Sequence, residues 1–136
     1  MSAGKYEVLP DLLYTSEHEW VKIDGKIATC GITDYAQKSL SDIVFVELPQ
    51  VGKKVKSGEV VCVVESVKAV SDVFSPVSGK IIDVNKKLES EPSLINKSPY
   101  RDGWIFKIEI EGEGDGFQLL SPEEYQKLLE EIEKGR

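Results

Sequence analysis

The stretch SGEVVCVVESVKAVSDVFSPVSGKIIDV, residues 57–84, decides the fold. Its two ends repeat, since residues 57–63 match residues 78–84 position by position. Each copy is a Ser-Gly pair followed by a run rich in β-branched residues, which is typical of a strand that leaves a turn. Two copies are too few for a solenoid, which needs three or more units. The repeat therefore predicts a pair of strand units related by a pseudo-two-fold axis.

Lys68 lies almost midway between the two copies, 10 residues after Gly58 and 11 before Gly79. A pseudo-two-fold relation would put residues 67–69 near the axis, at the tip of a hairpin between two valine-rich runs. Lys68 would then project into water, as suits a residue that a small domain presents to other proteins. The chain holds fifteen lysines, and hairpin tips are commonly polar, so an ordinary solvated lysine at a bend is the alternative interpretation.

Short period-2 or β-branched segments dominate the rest of the chain and predict a mainly β fold. Asp24-Gly25 separates two of them and indicates a two-residue hairpin, because both residues tolerate a positive φ. The predicted strands are LLYT (12–15), EWVKID (19–24), KIATCGI (26–32), DIVFVELP (42–49), EVVCVVE (59–65), KIIDVN (80–85) and WIFKIEI (104–110).

Two segments read as helices. Residues 33–40 begin with a capping threonine followed by an aspartate, which suits a short helix. Residues 121–134 begin with a capping box, Ser-Pro-Glu-Glu, with proline at the first helical position. Between these helices and near the C-terminus, EGEGDG (111–116) is expected to be a surface loop. The apolar stripe expected to dock the C-terminal helix on the sheet is Tyr125, Leu128, Leu129 and Ile132.

Length and composition limit the classes of function that the chain can have. The 136 residues suit one domain, 1–136, and the formal net charge of −7 makes nucleic acid an unfavourable partner. No apolar run has the roughly 20 residues of a membrane helix, and residues 1–10 lack a signal-peptide core. We therefore expect no membrane partner and a cytoplasmic location. Cys30 and Cys62 sit in apolar runs without metal-ligand spacing, so we expect buried, reduced thiols and no metal site.

The chemistry open to an exposed lysine is narrow. A solvated amine stays protonated at neutral pH, which disfavours Schiff-base catalysis by Lys68. A lysine acylated by a cofactor instead needs exposure to a ligase and freedom to swing between active sites. Biotin and lipoate are the usual group carriers on lysine. Biotin acceptors normally have methionines beside the lysine, whereas the only methionine here is Met1.

The segment Val67-Lys68-Ala69, with Glu65 three residues before the lysine and Gly79 eleven after it, resembles a lipoyl acceptor. Nearly the whole chain is similar to the H protein of the glycine cleavage system. One departure is Ser41, where relatives commonly carry glycine, and it puts the backbone of that turn in doubt. The matching stretches are Tyr14, His18-Glu19-Trp20, GITDYAQ (31–37), DIVFVELPQVG (42–52), ESVKAVSDVFSPVSGKIIDVN (65–85), LINKSPY (94–100) and Gly103-Trp104.

The resemblance implies a barrel-sandwich hybrid of the lipoyl/biotinyl hammerhead type and a carrier with no turnover of its own. It implies (R)-lipoate attached to Lys68 through an amide. The implied partners are glycine decarboxylase (P protein), which loads the aminomethyl group of glycine, and aminomethyltransferase (T protein), which passes the one-carbon unit to tetrahydrofolate. Dihydrolipoamide dehydrogenase (L protein) reoxidises the arm, and a lipoate ligase or lipoyl transferase attaches it.

The resemblance also suggests roles for neighbouring residues. Glu65 and Gly79 would be recognised by the lipoylating enzyme, and Gly79 would also relieve a tight turn. Glu19 and Asp72 would supply carboxylates to a cleft that holds the aminomethyl ammonium away from water. His18 is expected to position the motif rather than transfer protons. The tryptophans, Trp20 and Trp104, are expected to be core aromatics rather than a cofactor cage.

Two other functions stay open. An H-like carrier could pass lipoate onward to other lipoyl domains, which only experiments with partners would distinguish. A small enzyme or an unmodified β-sandwich adaptor is the interpretation from another class. Against it stand the absence of a nucleophile, base and oxyanion-donor grouping in the sequence and the extent of the family motifs.

Overall fold

A computed structural model describes residues 2–3, 6–112 and 119–135. Most of the loop predicted over 111–116 lies outside these residues. The helices are α1 (Asp34–Leu40), α2 (Lys87–Ser90), α3 (Leu94–Lys97) and α4 (Pro122–Lys134). The strands are β1 (Ser2–Ala3), β2 (Tyr6–Glu7), β3 (Leu13–Tyr14), β4 (Glu19–Asp24), β5 (Ile27–Ile32), β6 (Ile43–Glu47), β7 (Lys54–Val55), β8 (Val60–Ser66), β9 (Val70–Phe74), β10 (Gly79–Val84) and β11 (Phe106–Ile110).

Two antiparallel sheets form the body of the protein. The larger has six strands in the order β3-β4-β5-β11-β10-β7, and the smaller has three in the order β6-β8-β9. A separate two-stranded ribbon joins β1 to β2. The mainly β sandwich with a C-terminal helix is confirmed, and within the described residues the two larger sheets do not join into a closed barrel.

The two larger sheets share one apolar core. Val21 and Cys30 face it from the six-stranded sheet, while Val46, Cys62 and Val64 face it from the three-stranded sheet. Both cysteines are buried and free, as the sequence predicts. Because successive side chains of a strand point to opposite faces of its sheet, the three-stranded sheet keeps an outer face that this core does not cover.

The repeat divides between the two sheets. The first copy runs into β8 of the smaller sheet and the second into β10 of the larger one. The copies touch where they begin, because the Ser57 backbone N–H donates to the Ser78 hydroxyl oxygen at 2.9 Å. The predicted hairpin through Lys68 is therefore the connection between β8 and β9, at one end of the smaller sheet.

All seven predicted strands are present, although the loop between β4 and β5 begins one residue later than predicted. Asp24 pairs with Ile27, so the loop is Gly25-Lys26 rather than Asp24-Gly25. Gly25 has φ +62°, the backbone required at the first loop position of a type II′ turn. Five short elements, β1, β2, β7, α2 and α3, were not predicted from the sequence.

Both predicted helices are confirmed. Thr33 caps α1, and Ser121 with Glu124 closes the capping box of α4. The α4 stripe covers a second cluster, in which Tyr125 stacks on Tyr14 with ring centroids 4.6 Å apart. None of the helices in the described parts of the chain has both the length and the apolar character needed to cross a membrane.

Candidate functional site

The hairpin tip carries Lys68 without glycine, proline or asparagine because Ser66 supplies the turn bonds. The Ser66 backbone N–H donates to the Ala69 carbonyl at 2.8 Å. Its hydroxyl oxygen accepts from the N–H of Lys68 at 3.2 Å and from that of Ala69 at 3.0 Å. A serine side chain that bonds nearby backbone in this way stabilises a turn locally. No residue of the tip adopts a positive φ.

The tip is also held from the side. The Val67 N–H donates to the Asp42 carbonyl at 3.0 Å, which joins the turn to the residue before β6. Val67, Lys68 and Ala69 are all exposed. The backbone is therefore fixed by hydrogen bonds while the lysine side chain projects into solvent, as the sequence predicts.

Glu65 lies on β8, one residue before the turn serine, and is partly buried. It pairs with Phe45 of β6 on one side and with Val70 of β9 on the other. An enzyme that approaches Lys68 along the smaller sheet would meet this carboxylate. Its assignment to ligase recognition remains a prediction.

The structure explains the glycine at position 79 differently from the sequence-based prediction. Gly79 lies in β10 rather than in a turn, and its φ is not positive, so relief of a tight turn is wrong. A Cβ there would overlap the Glu109 backbone carbonyl and approach the Ile108 Cγ2 atom to 2.7 Å. Glycine is needed because β11 passes very close to β10 at this point.

Glu19 is a buried carboxylate, with 1% of its surface exposed. The Thr15 hydroxyl donates to its Oε1 atom at 2.5 Å, and the Phe74 backbone N–H donates to Oε2 at 3.1 Å. Burial raises the pKa of Glu19 from 4.5 to about 7, and these two hydrogen bonds oppose the rise. Glu19 therefore connects the start of β4 to the end of β9, the second strand of the Lys68 hairpin.

Asp72 lies in a different environment from Glu19. It is exposed on β9, where it pairs with Val63. Phe74, whose N–H bonds Glu19, is only two residues further along the same strand. Two carboxylates therefore lie along β9. Asp72 is exposed on the strand itself, and Glu19 of β4 is buried against its end.

His18 acts within the motif as a structural residue. Its φ of +73° places it in the left-handed region, and its Nδ1 atom lies 2.9 Å from the Tyr125 hydroxyl. That hydroxyl is also 2.7 Å from the hydroxyl of Thr33 at the start of α1. Burial lowers the pKa of His18 from 6.5 to about 4, so the ring is neutral at pH 7. These contacts join the β3–β4 turn to α4 and α1.

The two tryptophans pack differently. Trp20 is 1% exposed, and its indole N–H donates to the Pro99 carbonyl at 2.9 Å, as expected for a core aromatic. Trp104 is partly buried against the second cluster, and the Lys107 ammonium lies 5.1 Å from its ring centroid. Neither Thr15 nor Ser66 was predicted from the sequence, although Ser66 is the last residue of β8 and precedes a turn, where such residues bond the backbone.

Comparison with known proteins gives one consistent result. The family described as Glycine cleavage H-protein matches residues 12–132. A glycine cleavage system H protein of Carboxydothermus hydrogenoformans is 56% identical over 121 residues, which cover 89% of this chain and 93% of that protein. A probable glycine cleavage system H protein 1 of Sulfolobus acidocaldarius is 58% identical over 122 residues, covering 90% of this chain and 88% of that protein.

A solved structure agrees with the fold. The crystal structure of a glycine cleavage system H protein from Mycobacterium marinum superposes with a TM-score of 0.84 at 37% identity. The match covers 90% of this chain and 99% of the Mycobacterium marinum chain.

Proposed function

Because this chain belongs to the glycine cleavage H-protein family, we propose that it carries (R)-lipoate on Lys68 in an amide bond. The observation that supports this assignment is the hairpin tip. It presents one exposed lysine on a backbone fixed by Ser66 and by the Asp42 carbonyl. A group carrier needs both features, since the attaching enzyme must reach the amine and the arm must then swing from a defined origin.

We further propose that the carrier works with glycine decarboxylase, aminomethyltransferase and dihydrolipoamide dehydrogenase, and that a lipoate ligase or lipoyl transferase loads it. The lipoyl group would supply a disulfide that accepts the aminomethyl group of glycine and becomes a dithiol after the one-carbon unit leaves. The protein itself supplies no catalytic residue in this proposal. Its residues fix the origin of the arm, expose it to each enzyme and provide charge near the hairpin.

The carboxylates near β9 are proposed to receive the aminomethyl ammonium. Asp72 can meet a cation directly because it is exposed and four residues from Lys68. Glu19 would receive a cation at Oε1, where the neutral Thr15 hydroxyl now donates. A charged donor makes a stronger hydrogen bond than a neutral one, and burial would keep the site dry.

The direct test replaces Lys68 by arginine and assays glycine-dependent turnover with the three purified enzymes. Lys68→Arg keeps the charge and removes the acylable amine, so turnover should be lost while the thermal unfolding midpoint stays unchanged. Lys54→Arg, at an exposed lysine of β7, is the matched control and should support full turnover. Retained turnover in Lys68→Arg would contradict the proposal. Lipoylation of Lys68 without any stimulation of the decarboxylase would instead favour a lipoate relay.

A further inference from the structure

The outer face of the three-stranded sheet carries a row of cross-strand neighbours that leads to the hairpin tip. Phe45 of β6 pairs with Glu65 of β8, and Glu65 pairs with Val70 of β9. Val46 and Val64, the next residues on their strands, are buried in the core. Because side chains alternate along a strand, the row of Phe45, Glu65 and Val70 faces outward.

A second outward row lies two pairs further from the tip, beyond the inward pair of Val46 and Val64. Glu47 pairs with Val63, and Val63 pairs with Asp72. The two rows together form what we call the acidic–apolar face, defined by Phe45, Glu47, Val63, Glu65, Val70 and Asp72.

Exposed apolar surface is concentrated on this face and beside it. Phe45 is 52% exposed and Val70 is 67% exposed, while Val44 and Val67 next to them are 53% and 66% exposed. Of the large apolar side chains exposed in the described parts of the chain, only Ile23 and Val51 lie outside the smaller sheet and its tip. Clustered apolar surface of this kind usually marks a site of protein association.

Charge on the same face has one sign. Residues 41–47 and 60–74 contain four acids and a single base, Lys68. Glu47, Glu65 and Asp72 belong to the acidic–apolar face, and the fourth acid is Asp42 at the base of the tip. A complementary surface must therefore bring positive charge around an apolar contact.

We propose that the acidic–apolar face is the docking surface for the enzyme that attaches lipoate, and that Phe45 is a docking residue for that enzyme. This inference rests on the proposed function. The attaching enzyme must meet the free amine of Lys68, and Glu65 and Val70 form a pair on the two strands of the hairpin that carries this lysine, with Phe45 paired to Glu65 on the neighbouring strand β6. The matching enzyme surface carries lysine or arginine side chains around an apolar depression.

Phe45 gives the sharpest test because it lies more than twenty residues from Lys68 in sequence and shares no turn bond with it. The initial rate of lipoyl attachment is measured by intact mass with purified lipoate ligase, lipoate and ATP, as the carrier concentration is varied. Phe45→Thr should raise KM about tenfold with kcat within about twofold, the loss expected of one interface anchor. Ile23→Thr removes a similarly exposed side chain from the other sheet and should leave both constants unchanged.

A second matched pair changes polarity with almost no change of shape. Val70→Thr should raise KM, whereas Val51→Thr, at a side chain 54% exposed in the loop after β6, should not. Raising the ionic strength to about 1 M, where charges are screened beyond about 3 Å, should raise the KM of the unsubstituted protein. All four variants are compared by their thermal unfolding midpoints to exclude loss of fold.

The outcomes separate this inference from the proposed function. If the unsubstituted protein gains a lipoyl group on Lys68 while Phe45→Thr and Val70→Thr keep its KM, the docking surface is wrong and the carrier function stands. The docking surface is equally wrong if the same variants weaken only the stimulation of the decarboxylase, because the face would then serve another partner. If the unsubstituted protein gains no lipoyl group, the proposed function fails and the docking surface fails with it.

Discussion

The adjacent residues His18 and Glu19 should make opposite contributions to the pH dependence of stability. Burial raises the pKa of Glu19 from 4.5 to about 7 and lowers that of His18 from 6.5 to about 4. Each shift is about 2.5 pKa units, and one unit corresponds to about 1.4 kcal/mol. Each residue therefore changes the free energy of unfolding by about 3 kcal/mol over its own pH window.

The signs follow from which state binds the proton. The folded state holds the Glu19 proton more tightly, so its contribution is fully present below pH 4.5 and is lost as pH rises to about 7. The unfolded state holds the His18 proton more tightly, so stability is gained as pH rises from about 4 to 6.5. Between pH 4.5 and 6.5 the loss of stability at Glu19 and the gain at His18 should therefore cancel, so that together they leave the free energy of unfolding nearly constant.

Single substitutions should reveal each contribution. Glu19→Gln keeps a side chain of the same shape, with an oxygen for the Phe74 N–H, and removes the carboxyl titration. Relative to the unsubstituted protein, its free energy of unfolding should rise by about 2 kcal/mol from pH 4.5 to 6.5, a range that covers only part of the Glu19 titration. His18→Asn tolerates the positive φ, offers an oxygen to Tyr125 and should fall by a similar amount over the same range.

Urea denaturation at half-unit steps of pH, followed by tryptophan fluorescence, measures these differences directly. Subtracting the curve of the unsubstituted protein removes the contributions of all other titrating groups. Difference curves that are flat for both variants would refute the burial of these two groups as described. Slopes of the same sign would refute the assignment of one shift.

Three further substitutions test backbone features. Ser41 has φ +68° and ψ −152°, a region that favours glycine, so Ser41→Gly should raise the free energy of unfolding by about 1 kcal/mol, and a lower melting temperature would contradict this. Gly79→Ala should destabilise by about 1–3 kcal/mol in urea denaturation because its Cβ would overlap the Glu109 carbonyl, and unchanged stability would show that β10 and β11 can separate freely. Ser121→Ala removes the hydroxyl that accepts from the Glu124 N–H at 3.1 Å and should cost about 1 kcal/mol, so an unchanged thermal midpoint would mean that the cap does not stabilise α4.

The features that could be predicted from sequence are those set by local patterns. Alternating β-branched residues indicated the strands, and the capping box at Ser121 indicated the start of α4. The position of Lys68 followed from the repeat around it, because two similar strand units must be joined near their midpoint. These signals each lie within one continuous stretch of the chain, so contacts between distant segments did not need to be known.

What the sequence could not predict depends on contacts between distant segments. The need for glycine at position 79 comes from β11, thirty residues further along the chain, rather than from a turn. The buried Glu19 carboxylate has its oxygens hydrogen-bonded by Thr15 and by Phe74, which lies 55 residues away, and no local pattern reveals this pairing. The row that joins Phe45 to Glu65 exists only through strand pairing, and a bulge between Ile43 and Phe45 sets its register.

Attachment of lipoate to Lys68 tests the central claim most directly. Intact mass and peptide mapping are compared before and after incubation of the full chain with lipoate, ATP and a lipoate ligase, with Lys68→Arg in parallel. We predict a gain of one lipoyl group, located on Lys68 and absent from the variant. No gain in a folded protein with an active ligase, or a gain located on another lysine, would contradict the account.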